Sequence, residues 1–419
     1  MKSDFEREPT PVECSVKWCS ISLIYMGIAI TLPLFYIIAE IALSLGFYRG
    51  IFALSLSVLF LSTLGSFTGY IGAKTRLSTY MISSIAFGKN VAKFINFLMS
   101  AVLLGWYAIT LTFFGNSIST FLINEYNIYI NTEILIIICG TLILTSAIFG
   151  FDGINKISAI SVPLLLVLLY AMLINSLNIK NFIEITNYVG NNSISFGKSV
   201  SILIGSFICG VSILPDVSRY AKLPKDGVLG GIFGFIGGQF IVGVPCLIVG
   251  LTFLDINFVN NAIKFSPILA FIILILAIWT TNDNNLYSTS LSLSVIFERI
   301  KKVYITIILG ILGIVLACLN IMNYFVPFLS LLGIIFPSIA IINIMDFFLR
   351  KKDFKVTNKM ITNKKAIIAW ICGVTVALLT YYKIITITTM SAIDGLIIAG
   401  LIYFALIKFF NINSRDVNK

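Results

Sequence analysis

The feature that most constrains this chain is a succession of about twelve apolar segments, most of them about 17–30 residues long. A transmembrane helix needs about 20 predominantly apolar residues, so each segment can cross a bilayer, whether straight, tilted or broken. Only 11% of the residues are charged, whereas soluble domains carry about 25%. We therefore predict an all-α integral membrane protein with segments at residues 18–45, 50–72, 91–121, 133–150, 154–176, 196–216, 227–254, 267–297, 303–322, 325–347, 366–382 and 385–410.

The net charge of +11 indicates membrane orientation and not nucleic-acid binding, because of where the basic residues fall. With the N-terminus inside, 24 of the 29 Lys and Arg residues lie on the cytoplasmic side. The positive-inside rule then predicts a multi-pass protein of the cell membrane with both termini in the cytoplasm. The five basic residues left outside are Arg49, Lys180, Lys198, Lys264 and Lys383.

The order of the segments predicts an inverted repeat. A unit of five helices that starts inside must be followed by a unit that starts outside, the architecture in which discontinuous helices bind substrate at the midplane. The predicted organisation is a cytoplasmic tail (1–17), a ten-helix transport core (18–347) with repeats 18–176 and 196–347, two further helices (366–410) and a second cytoplasmic tail (411–419).

Unusual residues fall near the midpoints of the first, third, sixth and eighth helices. Pro33 interrupts the first, since a proline inside a helix costs about 3 kcal/mol. Trp106 lies in the third, although tryptophan prefers membrane interfaces. Gly205 and Gly210 weaken the sixth by about 1 kcal/mol each. Taken singly, the proline is more often a plain kink and the glycines are positions of close packing. Their common depth indicates a binding site at the midplane.

The eighth helix contains the most polar stretch of any segment, residues 278–285. A charged residue at the bilayer centre costs about 2.5–3.5 kcal/mol unless it faces a cavity or a partner. The polar arc on a helical wheel is too broad for lipid, so we expect other helices to surround this segment and its polar face to line a site. The residues of the arc are Thr280, Thr281, Asp283, Asn284, Asn285 and Tyr287.

The sequence offers little for catalysis or a cofactor. It has no histidine, the commonest metal ligand and neutral-pH proton shuttle, and its seven cysteines show no metal or disulfide spacing. An intramembrane aspartyl protease would need Asp216 and Asp283 to share a proton, but their predicted depths differ. A channel would need a continuous polar pore, whereas the polar residues of this sequence cluster at one depth. We therefore predict no enzyme and no cofactor.

Four motifs occur on particular helices and in a particular order. They are Gly69–Thr75 after the second helix, Gly105-Trp106 in the third, Gly205–Ile208 with Asp216 and Arg219-Tyr220 in and after the sixth, and Trp279–Asn284 in the eighth. These motifs resemble the nucleobase–cation symporter family, in particular its cytosine permease branch. The resemblance covers helices 1–10 and fades in the last two. It implies secondary transport and a LeuT-like fold, with a ten-helix inverted repeat plus two further helices.

The resemblance also implies a sodium site between the first and eighth helices. Helix 1 carbonyls and helix 8 hydroxyls form this site in the family, and such oxygens suit a hard cation. Unwound backbone at this depth is tolerated only if it is buried in protein or lines a site. The implied ligands are the hydroxyls of Thr280 and Thr281, the carbonyl of Ala277, and carbonyls near Gly27, Ile30 and Thr31.

A flat heterocycle would lie beside the sodium site. Trp106 and Phe207 match the family's stacking positions. Asp283 could pair with a substrate amino group, receive a proton or bond nearby backbone, and we favour a structural or coupling role over direct contact. The candidate residues for hydrogen bonds to the edge of the base are Ser206, Cys209, Asn282 and Asn284.

Two departures from the cytosine permease pattern bear on specificity. Leu103 stands where those permeases have a glutamine, and Cys209 replaces a serine. A lost amide removes hydrogen bonds that decide between close analogues. We predict a secondary transporter that imports cytosine or a related nucleobase-like heterocycle with sodium. Proton coupling through Asp283 or Asp216, a thiamine-precursor pyrimidine or a purine as substrate, and a channel or transporter-like sensor are the alternatives.

Overall fold

The computed structural model describes residues 8–148, 151–256, 261–263, 266–297, 299–319, 321–350, 362–385 and 387–415. Across these ranges the fold is all-helical, as predicted, and the sole β contact is an isolated bridge between Val16 and Ala221. The first helices are α1 (Trp18–Ala29), α2 (Leu32–Leu45), α3 (Phe47–Thr75), α4 (Thr79–Phe87), α5 (Lys89–Tyr126), α6 (Thr132–Ala147), α7 (Phe151–Ile179) and α8 (Phe182–Thr186). They are followed by α9 (Phe196–Ser218), α10 (Pro224–Phe235), α11 (Val242–Phe253), α12 (Pro267–Ile296), α13 (Lys302–Cys318), α14 (Phe325–Arg350), α15 (Lys364–Tyr381) and α16 (Ser391–Arg415).

Eight helical spans of the described residues are long and apolar enough to cross a membrane, or nine if α1 and α2 form one span. Helices α6 and α13 are apolar but shorter. Each predicted segment contains helix, whereas the count of twelve spans and the repeat stay predictions. The last segment becomes helical only at Ser391. Asp394 accepts hydrogen bonds from the N–H groups of Ile387 and Thr388, which holds the preceding residues as a loop.

The first span breaks in its middle, as Pro33 predicts. Helices α1 and α2 meet at 66°, and Thr31 between them is extended, with φ −136° and ψ 148°. Pro33 lies in the first turn of α2. The N–H groups of a first turn have no partner within the helix, so the proline costs no helical hydrogen bond there. The Thr31 N–H bonds the Ala29 carbonyl at 2.9 Å. It therefore does not serve the Gly27 carbonyl, as it would in a continuous helix.

Helix α9 runs without a break through both of its central glycines. A Cβ atom on Gly205 would lie 2.1 Å from the Leu329 carbonyl oxygen on α14, so the missing side chain allows the two helices to touch. A Cβ atom on Gly210 would find its nearest neighbour, a Tyr25 ring carbon, at 3.8 Å. Gly205 is thus a packing position, while Gly210 leaves space.

The glycine-rich run from Gly227 to Gly238 serves the packing of α10. A Cβ atom on Gly227 would lie 2.2 Å from the Gly69 carbonyl oxygen of α3. On a neighbouring face of α10, a Cβ atom on Gly230 would lie 2.5 Å from the Ile21 side chain of α1. Helix α10 therefore fits closely between α3 and α1, which fixes the position of the broken span.

Helix α12 carries the polar stretch and packs against α1, α5, α6, α7 and α13. The side chains of residues 281–285 are each at most 5% exposed. The expectation that other helices surround this segment is confirmed. Its polar groups consequently face protein and cavities instead of lipid.

Candidate substrate and cation site

A pocket lies where the break between α1 and α2 meets α5, α9 and α12. Its volume is about 30 Å³, room for roughly two water molecules, so a heterocycle fits only if lining side chains move apart. The apolar part of the lining consists of Ile28, Leu34, Leu103, Trp106, Phe207 and Ile213. The remainder consists of Thr31, Ser206, Cys209, Gly210, Thr281, Asn284 and Asn285.

Two aromatic side chains bring flat apolar surface to this pocket. The Trp106 indole packs edge-to-face against Phe325 and Phe328 of α14, with ring centroids 5.9 and 5.7 Å apart. These contacts fix the orientation of the indole. Phe207 reaches the same pocket from α9, and both side chains are less than 8% exposed. The two predicted stacking residues therefore line one cavity.

Helix α9 also contributes polar atoms. The Ser206 hydroxyl donates to the Leu203 carbonyl at 2.7 Å, which leaves its oxygen lone pairs for another donor. Cys209 lies beside it in the lining. The Tyr25 hydroxyl donates to the Gly210 carbonyl at 3.1 Å and so ties α1 to α9 at the level of the pocket.

The Thr281 hydroxyl joins α12 to the end of α1. The hydroxyl donates to the Gly27 carbonyl at 3.3 Å and to the Ile28 carbonyl at 3.4 Å. Two ligands at right angles around a hard cation, with contacts of about 2.4 Å, lie about 3.4 Å apart. The Thr31 hydroxyl lines the same pocket and has no hydrogen-bond partner within the described residues. Hydroxyl and carbonyl oxygens, the ligand type that hard cations prefer, are thus gathered at the break between α1 and α2.

The structure gives less information about the other predicted sodium ligands. Ile30 forms the end of α1, and the Thr31 carbonyl accepts the N–H groups of Leu34 and Phe35 that start α2. Ala277 and Thr280 belong to α12, but their side chains lie outside the described residues. The Ile28 carbonyl was not among the predicted ligands, because the sequence did not reveal at which residue α1 ends.

The polar stretch of α12 divides between two surroundings. Asn284 and Asn285 line the pocket, whereas Asn282 and Asp283 do not. Asn282 is fully buried, and its side-chain oxygen lies 3.5 Å from the Asn285 amide nitrogen. Asn285, which we predicted only as part of the polar arc, thus joins the candidate residues for hydrogen bonds to the base.

Asp283 faces α6. The Ser146 hydroxyl donates to Asp283 Oδ1 at 2.5 Å, and the Trp279 indole N–H donates to the same hydroxyl oxygen at 3.1 Å. Asp283 is 1% exposed and lies outside the pocket lining. This placement argues against direct substrate contact and for a structural role. No sequence signal pointed to Ser146, since a serine in a membrane helix has many uses.

Similarity to known proteins identifies the family. Residues 12–402 match the model of a family described as permeases for cytosine/purines, uracil, thiamine and allantoin. The chain belongs to this family. It is a multi-pass membrane transporter and not an enzyme.

The relatives extend over nearly the whole permease. The cytosine permease of Escherichia coli strain K12 is 25% identical over 381 residues, which cover 89% of this chain and 88% of the relative. The cytosine permease of Escherichia coli O157:H7 matches to the same extent.

Solved structures agree with the helical arrangement. Mhp1, a nucleobase-cation-symport-1 family transporter, in a closed conformation with bromovinylhydantoin bound, superposes with a TM-score of 0.80 at 18% identity, covering 94% of this chain and 92% of that one. Inward-facing Mhp1 gives 0.78 at 17% identity (95% and 93% covered). A Na⁺-coupled sialic acid symporter in an outward-open state gives 0.70 at 13% identity (96% and 93% covered). At these identities the likeness shows the fold, that of LeuT-like transporters.

Proposed function

We propose that this permease imports cytosine or a related nucleobase-like heterocycle together with sodium. The observation that carries the proposal is a single pocket with two kinds of lining. Trp106 and Phe207 supply aromatic surface, while Thr281 supplies a hydroxyl grouped with α1 carbonyls. Base and cation would therefore bind side by side at the break between α1 and α2.

The substrate would stack between Trp106 and Phe207. Its edge would meet Ser206, Cys209 and the amides of Asn284 and Asn285, which offer donors and acceptors together. Leu103 lines the same pocket, so the position where the cytosine permease pattern has glutamine would face the base with an apolar side chain. A related pyrimidine or a purine is accordingly a candidate beside cytosine.

Sodium would bind the Thr281 hydroxyl, the Gly27 and Ile28 carbonyls and Thr31, and so hold α1 against α12. Because the same elements line the base pocket, ion and base would stabilise one arrangement. Such reciprocal coupling is worth about 1–3 kcal/mol. Proton coupling through Asp283 is less favoured, since its carboxylate is bonded to Ser146 away from the pocket.

The remaining topology is part of the proposal. Both termini would lie in the cytoplasm of a cell-membrane protein with twelve spans. Helices α1–α7 and α9–α14 would form the two inverted repeats, and α15 and α16 the additional pair. The distribution of basic residues over the loops supports this orientation.

Uptake into proteoliposomes tests the proposal. We expect saturable uptake of a labelled pyrimidine or purine base driven by an inward sodium gradient at equal pH, and little uptake when choline replaces sodium. A Thr281→Ala variant should need a higher sodium concentration for the same uptake. A Thr375→Ala variant, which removes an exposed hydroxyl on α15, should behave as wild type. Uptake driven by a pH gradient in choline would contradict sodium coupling, and uptake of no base would contradict the substrate class.

A further inference from the structure

A second cavity lies on another face of α9. Its volume is about 870 Å³, and it is bounded by the start of α9, by α14 and by the loop between α15 and α16. Ser201 lines this cavity, whereas Ser206 lines the substrate pocket. Five residues along a helix correspond to a rotation of about 140°, so the two cavities face different ways.

The charged side chains of this lining are positive. Lys198 at the start of α9 and Lys383 in the loop both line the cavity. Arg49 donates to the side-chain oxygen of Asn192, another lining residue, at 3.0 Å. Three of the five basic residues that we assign to the outer side therefore gather around one cavity, although that side carries few basic residues.

Hydrogen-bond donors lie within the same lining. The start of α9 points into it, and Ser195 at the cap position makes no side-chain hydrogen bond to the helix. A helix N-terminus attracts anions through its N–H groups and dipole. Ser201 is 96% buried, and its hydroxyl has no hydrogen-bond partner within the described residues. Because buried hydroxyls are normally hydrogen-bonded, Ser201 points to a bound group that accepts a hydrogen bond from its hydroxyl.

The rim of the cavity has a strained backbone. Lys383 and Thr389 have φ values of 59° and 66°, a left-handed conformation that is a genuine outlier for a β-branched residue such as threonine. The Thr389 carbonyl oxygen would lie 2.4 Å from a Cβ atom on Gly197. The loop is therefore pressed against the first turn of α9. Strain of this kind is concentrated at ligand clamps and switch regions.

Two acidic groups lie nearby without lining the cavity. Asp394 is fully buried, and its carboxylate accepts hydrogen bonds from Thr380, Thr388 and the Ile387 N–H. Glu40 on α2 interacts electrostatically with Lys198. The negative charge of Asp394 is thus taken up by the loop itself, whereas Glu40 offsets part of the positive charge of Lys198.

We propose that this cavity binds a phosphate group. Lysines and free N–H groups bind phosphate oxygens in many proteins, and Ser201 would donate to a further oxygen. Both soluble phosphate and the headgroup of an anionic phospholipid carry this chemistry. Tyr382, Ile384 and Ile385 in the adjoining loop are 57–68% exposed, and apolar side chains beside a basic cavity favour the lipid. The occupant would bridge α9 to the α15–α16 pair.

The test measures binding to purified protein in nanodiscs. One arm compares phosphatidylcholine discs with discs that also contain phosphatidylglycerol, and scores retained phosphatidylglycerol by native mass spectrometry. The other arm titrates inorganic phosphate into phosphatidylcholine discs and follows the melting temperature. Binding in the first arm alone identifies the lipid source, and binding in the second alone identifies the soluble source. Binding in neither arm overturns the proposal.

Substitutions in the cavity lining test whether the phosphate group binds in this cavity. Each lysine contributes about fivefold to the affinity for an anionic headgroup, so a Lys198→Gln, Lys383→Gln double variant should bind roughly 30-fold more weakly. Lys180→Gln, on the same side but outside this lining, is the matched control and should bind as wild type. Ser201→Ala, a smaller side chain that cannot disturb packing by its size, should weaken binding about tenfold. Equal binding by the double variant and the control, or by Ser201→Ala and wild type, overturns the assignment.

Discussion

The α1–α2 span and α9 both contain residues that disfavour helix at mid-depth, yet only the first is broken. Helices α1 and α2 meet at 66°, whereas α9 continues through Gly205 and Gly210. The difference is chemical. Proline removes a backbone donor and clashes with the preceding turn. Glycine keeps every backbone hydrogen bond and removes only a side chain, so a neighbouring helix can restore the lost stability through contact.

The candidate substrate and cation site contains both kinds of helix. The broken span turns the Gly27 and Ile28 carbonyls toward the Thr281 hydroxyl. The continuous helix presents Ser206 and Phe207 at a fixed spacing. Backbone atoms exposed by a break thus suit an ion, while side chains on an intact helix suit a base. Four substitutions separate these contributions.

The largest effect is expected for Gly205→Ala. Its Cβ atom would lie 2.1 Å from the Leu329 carbonyl oxygen, and backbone cannot yield as a flexible side chain does. Overpacking of this kind costs at least about 1–3 kcal/mol. The melting temperature of the purified protein should fall clearly below that of wild type. An unchanged value would mean that the contact between α9 and α14 is loose.

A Thr281→Ala change removes the oxygen that α12 brings to the break. We expect the sodium concentration for half-maximal uptake to rise about tenfold, which corresponds to roughly 1.4 kcal/mol. Base affinity at saturating sodium should change little. The control is Thr281→Ser, which keeps the hydroxyl and should retain the wild-type sodium response. If both variants behaved alike, the hydroxyl would not be a ligand.

Pro33→Ala restores a backbone donor at the start of α2. The proline stands where no helical bond is lost, so the melting temperature should stay near the wild-type value. A helix that continues more readily through Thr31 would pair the Gly27 carbonyl, so sodium affinity should fall a few-fold. Isothermal titration with sodium measures this effect. Unchanged affinity would show that tertiary packing alone maintains the break.

The smallest effect is expected for Gly210→Ala, the counterpart of Gly205→Ala. The new Cβ atom would find its nearest neighbour at 3.8 Å, an ordinary contact distance. Alanine favours helix by about 1 kcal/mol, so the melting temperature should be equal or slightly higher. Since Gly210 lines the pocket, uptake of purines should decline more than uptake of pyrimidines. A clear loss of stability would show that α9 depends on flexibility there.

Much of this arrangement is readable from the sequence, because bilayer thickness ties chain position to depth. Trp106, Phe207 and Asn284 were expected at one level, and they line one pocket. Hydropathy likewise located the helices, and Pro33 located the break. In these cases a local rule of backbone or membrane chemistry determines the result.

The unpredicted features depend on which helices become neighbours. The helical wheel placed Asp283 and Asn284 on one face, but α6 supplies Ser146 for Asp283 while the pocket receives Asn284. The Ile28 carbonyl reaches Thr281 because α1 ends at Ala29. A single sequence without its tertiary contacts does not contain this information.

Thermal stabilisation of the purified permease by a panel of pyrimidine and purine bases, in sodium and in choline, tests most directly whether one pocket couples ion and base. A ligand that binds the folded protein raises its melting temperature. We expect at least one base to stabilise the protein more in sodium than in choline, and Thr281→Ala to reduce that difference at the same sodium concentration. Equal stabilisation in both salts would contradict the coupling, and no stabilisation by any base would contradict the substrate class.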